Sequence, residues 1–131
     1  QYPFTVIDNE SGLENLSRRI APAVDWLVLV GDPSRRGLAT IRRLYALARE
    51  MDVRYGKLAV VVNRLRPSSP SPPDLSDLPV DALFTLPEDD DLARWGEEGK
   101  SLLEFPGGHP AARAIDAFLK GHLGVPSRGA A

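Results

Sequence analysis

The chain has 131 residues, no cysteine, a formal net charge of -2 at pH 7, and 43% hydrophobic and 26% charged residues. That is enough for one domain with a core, and it excludes disulfides, thiolate metal sites and cysteine nucleophiles within this chain. The near-neutral balance gives no general attraction to nucleic acid or anionic membrane, and no apolar run approaches the roughly 20 residues of a membrane helix.

The N-terminus, QYPFTVIDNE, lacks the basic start and long apolar centre of a signal peptide. It also lacks an initiating Met and runs almost at once into a strand pattern, as a fragment would. Phe4 to Ile7 reads as a buried strand. Leu13, Leu16 and Ile20 then recur at helical spacing, with Arg18 and Arg19 on the other face, until Pro22 ends the helix. The unbroken apolar run Trp26 to Val30 fits a strand covered on both faces, as in a parallel sheet. A helix follows, with Leu38, Ile41, Leu44, Tyr45, Ala48 and Met51 on one face, and Leu58 to Val62 forms a third buried strand. The Pro- and Ser-rich RPSSPSPPDLSDLP is an excursion within one domain, because the same alternation resumes after it. A short strand ends near Leu86, Pro87 makes a turn, and a helix opens with the acids Glu88 to Asp91. The last helix runs from about Pro110 to Leu123, with Ile115, Phe118 and Leu119 facing the core. His109 falls in the turn before that helix and His122 in its last turn. Residues 1–124 are expected to form one α/β domain and 125–131 a disordered tail.

Strands alternating with helices predict a doubly wound, mostly parallel α/β sheet. Such sheets bind ligands beyond the carboxyl ends of their strands. Those ends carry Asp8-Asn9-Glu10, Gly31-Asp32-Pro33-Ser34, Asn63-Arg64 and Pro87-Glu88. An acid at a strand tip suits magnesium, which takes oxygen ligands and keeps several waters. A glycine four residues on, Gly12, lets a backbone N–H approach a phosphate. The Asn63 amide can both donate to and accept from an adenine edge. Each of these has a plainer alternative. Asp8 and Asn9 suit a strand end and helix cap, Asn63 a turn, the run Glu88 to Asp91 a solvated helix start, and the paired arginines solvated helix faces.

In this order, VIDNESGLENLSRR (6–19), DWLVLVGDPSRRGLATIRRLYALAREM (25–51), KLAVVVNR (57–64) and LPEDDDLARWGEEGKSLLEFP (86–106) resemble a known family. It is the C-terminal half of the CooC-type ATPases that mature carbon monoxide dehydrogenase by nickel insertion, within the MinD/ParA group of P-loop ATPases. The resemblance implies that Asp8 is the Walker B acid, steering Mg2+ through a water. It places Glu10 and Gly12 in the second switch near the γ-phosphate, and makes Asn63, with Arg64 beside it, the adenine reader. Pro87 and Glu88 would line the base pocket, and Asp32 and Pro33 would border the nucleotide. It further implies a cytoplasmic ATP hydrolase that dimerises with ATP and serves a metalloenzyme client such as carbon monoxide dehydrogenase, without nucleic acid or membrane.

The departures are specific. No Gly-x-x-x-x-Gly-Lys-[Ser/Thr] occurs in the chain, so the phosphate cradle and its lysine are missing from it. In the family that loop precedes the Asp8 segment. The family's Cys-x-Cys nickel site also lies upstream, so nickel would enter only through that half. The strand that carries the loop sits between the strand of Asp8 and that of Trp26 to Val30. The chain is therefore expected to bind MgATP weakly or not at all, and not to hydrolyse it alone. The rival reading is a non-catalytic α/β interaction module derived from the same fold. A receiver-like signalling domain would need a lysine where Asn63 and Arg64 stand, and a partitioning or septum-site ATPase a basic surface or an amphipathic membrane helix.

Overall fold

In the computed structural model, which describes residues 4–9, 23–69 and 73–124, three parallel strands lie in the order β1-β2-β3. β1 is Val24–Gly31, β2 Tyr55–Leu65 and β3 Ala82–Pro87. Leu29 pairs with Val60 and Val60 with Leu83, so the apolar runs lie level across the sheet. Parallel strands need crossovers. The first is helix α1, Arg35–Glu50, and the second is the Pro- and Ser-rich excursion.

One face of the sheet packs under α1. Leu29, Ile41, Leu58, Val60, Val62 and Leu75 form a buried cluster, ringed by Leu38, Leu44 and Tyr45. The expected apolar face of α1 is therefore the one that packs. Leu75 belongs to the excursion, and Arg42 of α1 holds that segment down. Its Nε and Nη2 donate to the Asp77 carboxylate at 2.7 and 3.0 Å, and Nη2 also donates to the Asp74 carbonyl at 2.9 Å. At its other end α1 closes on Asp52, which takes the left-handed conformation (φ 55°) so that Val53 N–H reaches the Ala48 carbonyl at 2.9 Å.

The other face is covered by α3, Pro110–His122, mainly over β2 and β3, with Trp26 of β1 at the margin of the cluster. Phe118 stacks on Phe84 at 4.6 Å and covers Ala59 and Ala82. Burying a ring of that size contributes roughly 2–3 kcal/mol.

Three expectations change. Phe4 to Ile7 is not a strand: these residues have no strand pairing, and Val6 is 91% exposed. A strand exists only where a neighbour takes its backbone hydrogen bonds, and no strand among the described residues stands beside it. Second, only β2 is buried on both faces. Val28 and Val30 of β1 look out past the edge of α3, Val30 being 55% exposed. Third, Ile115 is exposed, because it lies on the flank of α3 while Ala111 and Phe118 take the core positions. The expected helix over Leu13 to Ile20 and the tail 125–131 lie outside the described residues.

Candidate functional site

The carboxyl ends of β1, β2 and β3 form one rim, because all three strands point the same way. Gly31 is level with Val62, and Leu65 with Pro87. Asp32-Pro33, Asn63-Arg64 and Pro87-Glu88 therefore come together, as expected from the strand ends. Pro87 is the last residue of β3 rather than a turn beyond it.

The first loop of the rim is built by its own sequence. Asp32 Oδ1 accepts from Ser34 N–H at 2.9 Å, and Ser34 Oγ accepts from Gly37 N–H at 2.9 Å, capping α1. These hydrogen bonds from Ser34, its side chain first and its backbone N–H second, hold the Asp32 carboxyl below its usual range. A Cβ at Gly37 would stand 2.3 Å from both the Asp32 carbonyl oxygen and Oδ1. The pattern Asp-Pro-Ser-x-x-Gly is thus a turn, a cap and a close approach that only glycine permits.

At the second loop the ladder between β2 and β3 shifts register between Val62 and Leu65. Arg64 sits in the left-handed region (φ 60°), and its N–H donates to Asn63 Oδ1 at 2.9 Å. A bulge with a non-glycine residue in that region stores about 1–2 kcal/mol. It re-aims Asn63 toward the rim, with its Nδ2 hydrogens not engaged among the described residues. Opposite charges face each other here, since Arg64 also acts on Asp32.

At the third loop, Glu88 N–H donates to the Leu65 carbonyl at 2.9 Å. The Glu88 carboxylate pairs with Arg66 Nε at 3.2 Å. Both groups are solvated, so the pair orients Glu88 more than it stabilises the fold. Asp8 is exposed, outside the sheet, and Glu10 and Gly12 lie outside the described residues.

One cluster has the composition of a metal site. Ligand atoms of Asp89, Asp91 and His109 lie within 4.8 Å of one another. Its hydrogen bonds speak against a metal. His109 Nδ1 accepts from Ala111 N–H at 3.2 Å, so in the neutral ring Nε2 carries the hydrogen and faces Asp91 Oδ2 at 3.4 Å. A metal would need the lone pair that this tautomer does not have. A shallow groove of about 540 Å3 lies at the amino ends of β1 and β2, between Trp26, Arg54 and Lys57. It is at the wrong end of the sheet for a strand-end ligand.

The structural roles of three residues were not expected from the sequence: the pairing of Asp81 and the helix caps at Ser34 and His109. Asp81 accepts from Leu58 N–H through Oδ2 at 2.8 Å and donates its own N–H to the Leu58 carbonyl at 2.8 Å, extending the β2–β3 ladder. Ser34 is legible from Gly37 three residues on. His109 as a helix cap is legible from Pro110, since proline favours the first helical position.

The fit to an ATP group can be tested against these loops. Toward a base edge, Asn63 offers amide hydrogens not engaged among the described residues, close to Pro87 at the end of β3. The phosphate-cradle part has no residues in this chain.

No family model and no solved structure matches the chain. Among curated proteins it is 32% identical over 121 residues to an uncharacterized ATP-binding protein of Methanocaldococcus jannaschii, covering 91% of this chain and 48% of that one. A second uncharacterized ATP-binding protein of that organism is 31% identical over 61 residues, covering 47% of this chain and 23% of the other. The carbon monoxide dehydrogenase accessory protein CooC of Rhodospirillum rubrum is 29% identical over 130 residues, covering 95% of this chain and 47% of CooC. The chain spans about half the length of the curated relatives it matches along most of its own length. No helix among the described residues is long and apolar enough to cross a membrane. Along most of its own length, this chain is homologous in sequence to a protein named as ATP-binding and to the accessory protein CooC.

Proposed function

We propose that this chain supplies the adenine side and the magnesium-steering acid of an ATP site, as the C-terminal portion of a MinD/ParA-type ATPase related to CooC. The observation that carries this reading is the rim. Asp32-Pro33, Asn63-Arg64 and Pro87-Glu88 meet at the carboxyl ends of three parallel strands, in a chain whose relatives are named as ATP-binding proteins. Asn63 reads the adenine edge, its free amide hydrogens donating to a ring nitrogen. Pro87 and Glu88 bound the base, and Asp32 and Pro33 border the nucleotide. Asp8 steers Mg2+ through water, and Glu10 and Gly12 couple the γ-phosphate to shape. ATP, when bound, supplies the phosphoryl bond to be hydrolysed, and the phosphate cradle comes from a P-loop half outside this sequence. In this reading the assembled ATPase is a cytoplasmic homodimer that serves a metalloenzyme, with neither nucleic acid nor membrane as partner.

The test is the intact mass and N-terminal sequence of the native protein, with MgATP binding measured on it and on Asn63→Ala. A mass well above 14.3 kDa, a Gly-Lys-[Ser/Thr] loop upstream, and binding weakened ten-fold or more by Asn63→Ala support the proposal. A mass matching 131 residues without ATP binding overturns it. That result would favour the interaction module, for which the specific observation is the outer edge of β1. That edge is unpaired among the described residues and flanked by exposed Val28 and Val30.

A further inference from the structure

Between Glu88 and His109 the chain leaves the sheet at the end of β3 and returns as α3. This segment holds helix α2, Asp90–Glu97, and a single 3-10 turn, Leu102–Glu104. Neither has a buried residue, and α2 makes no extensive contact with the strands. Leu103 on the 3-10 turn is 81% exposed. The segment is instead folded on itself. Trp95 Nε1 donates to the Ser101 carbonyl at 3.0 Å, and the Trp95 ring stands edge-on to Phe105 at 5.4 Å. Phe105 in turn packs against His109 at 4.9 Å.

His109 is the point where this small unit meets the body of the fold. Its side chain is only 16% exposed. One ring nitrogen, Nδ1, caps α3 by accepting from Ala111 N–H at 3.2 Å. The other, Nε2, faces Asp91 Oδ2 at 3.4 Å and Asp89 Oδ1 at 3.7 Å, at the start of α2. Asp89 is itself fixed, since its Oδ1 accepts from Leu92 N–H at 2.8 Å and caps α2. One imidazole thus ties the first turns of two helices together. One of them packs on the sheet through Phe118. The other has little else to hold it.

We propose that residues 88–109 form a flap beside the strand-end rim, latched to α3 by His109. The segment is joined covalently to the fold at Pro87-Glu88 and at His109-Pro110, and the latch is the His109 Nε2–H facing the Asp91 carboxylate at 3.4 Å, with Asp89 Oδ1 nearby at 3.7 Å. Latched, the first turn of α2 is held against the start of α3; released, α2 with Asp89 and Asp91 moves away from α3, while Glu88 stays tied to Leu65 and Arg66. His109 is a positioning residue in this device, acting through the two aspartates. The inference rests on the flap's own contacts and stands whether or not the rim binds a nucleotide.

Cap and latch use different ring nitrogens, which makes the proposal testable on the chain as it is. Asparagine caps helices well, but one small amide cannot cap α3 and reach the carboxylates of α2 at once. Amide hydrogen exchange is therefore compared in the wild type, His109→Asn and His109→Ala. The expected result is that α2 amides from Ala93 to Glu97 exchange about ten-fold faster in both variants. The Ala111 amide should speed up only in His109→Ala, and Leu58 to Val62 in β2 should keep their wild-type rates. Unchanged α2 exchange in His109→Asn overturns the latch. An equal acceleration of β2 in His109→Asn overturns it too, because His109 would then be supporting the whole fold rather than the flap.

Discussion

At the scale of single residues, the groups that hold the rim differ widely in how much substitution they tolerate. Gly37→Ala puts a methyl 2.3 Å from the Asp32 backbone, so the Asp32–Ser34 turn must open. The expected loss is about 2–3 kcal/mol by urea denaturation, within the range for overpacking. Ser34→Ala removes only the cap and should lose about 1 kcal/mol. Arg64→Gly relieves a left-handed arginine. It should leave stability unchanged or raise it by up to about 1 kcal/mol, while weakening any ligand at the rim, and a loss of stability would show that the arginine side chain is structural. Asp32, Asp74 and Asp77 titrate below their usual range, through hydrogen bonds from Ser34, Ser76 and Arg42 respectively. A carboxylate with a depressed folded pKa contributes fully above its unfolded value near 3.9, and loses that contribution as pH falls through the folded value. On account of these three groups, the urea midpoint should hold level down to about pH 4 and fall below it. A decline already complete at pH 5 would assign acid sensitivity to other groups. The residues of the rim were legible in the sequence because polar residues interrupt apolar runs. Their hydrogen bonds were not, since a one-residue bulge at Asn63 depends on how β3 pairs, which no local pattern records.

At the scale of elements, sequence periodicity located the helices well where one face packs. α1 shows its apolar stripe plainly, and Ile41 and Ala48 on it are buried. α3 shows the limit of the method. Ala111, Ile115, Phe118 and Leu119 share helical spacing, yet Ile115 stays exposed on the flank of the helix while Ala111 and Phe118 take the core positions. Phe118→Ala should lose about 3–5 kcal/mol, since it removes both the stack on Phe84 and the cover over Ala59 and Ala82. Thermal unfolding would measure this, and a loss under 1 kcal/mol would mean that α3 is not needed to close the sheet. The excursion between β2 and β3 is polar and proline-rich in sequence, and nothing local in it announces that Leu75 enters the core. That position follows from Arg42, on a distant helix, gripping Asp74 and Asp77.

At the scale of the molecule, fold class followed from the alternation of strand and helix, whereas the fate of Phe4 to Ile7 did not. Its residue types suit a strand, but a strand is a property of a pair. The same reasoning applies to the outer edge of β1, where backbone unpaired among the described residues and exposed Val28 and Val30 make a template for another strand. The chain on its own should associate as its concentration rises, and Val30→Lys should suppress this in sedimentation or light scattering. Concentration-independent monomers in the wild type would mean that the edge is protected. The parallel ladder also bears on how the chain reaches its structure. Neither pair of adjacent strands is joined by a hairpin, so no part of the sheet can nucleate between sequence neighbours. Leu29 must wait for Val60, and Val60 for Leu83, across a full crossover each time. Chain closure is then paid before any pairing stabilises it, which places refolding on a scale of milliseconds to seconds. During synthesis β1 and α1 leave the ribosome well before β2 can shield them, and among the described residues Leu29 and Ile41 then have only the neighbours that β1 and α1 themselves carry, such as Leu38 and Leu44.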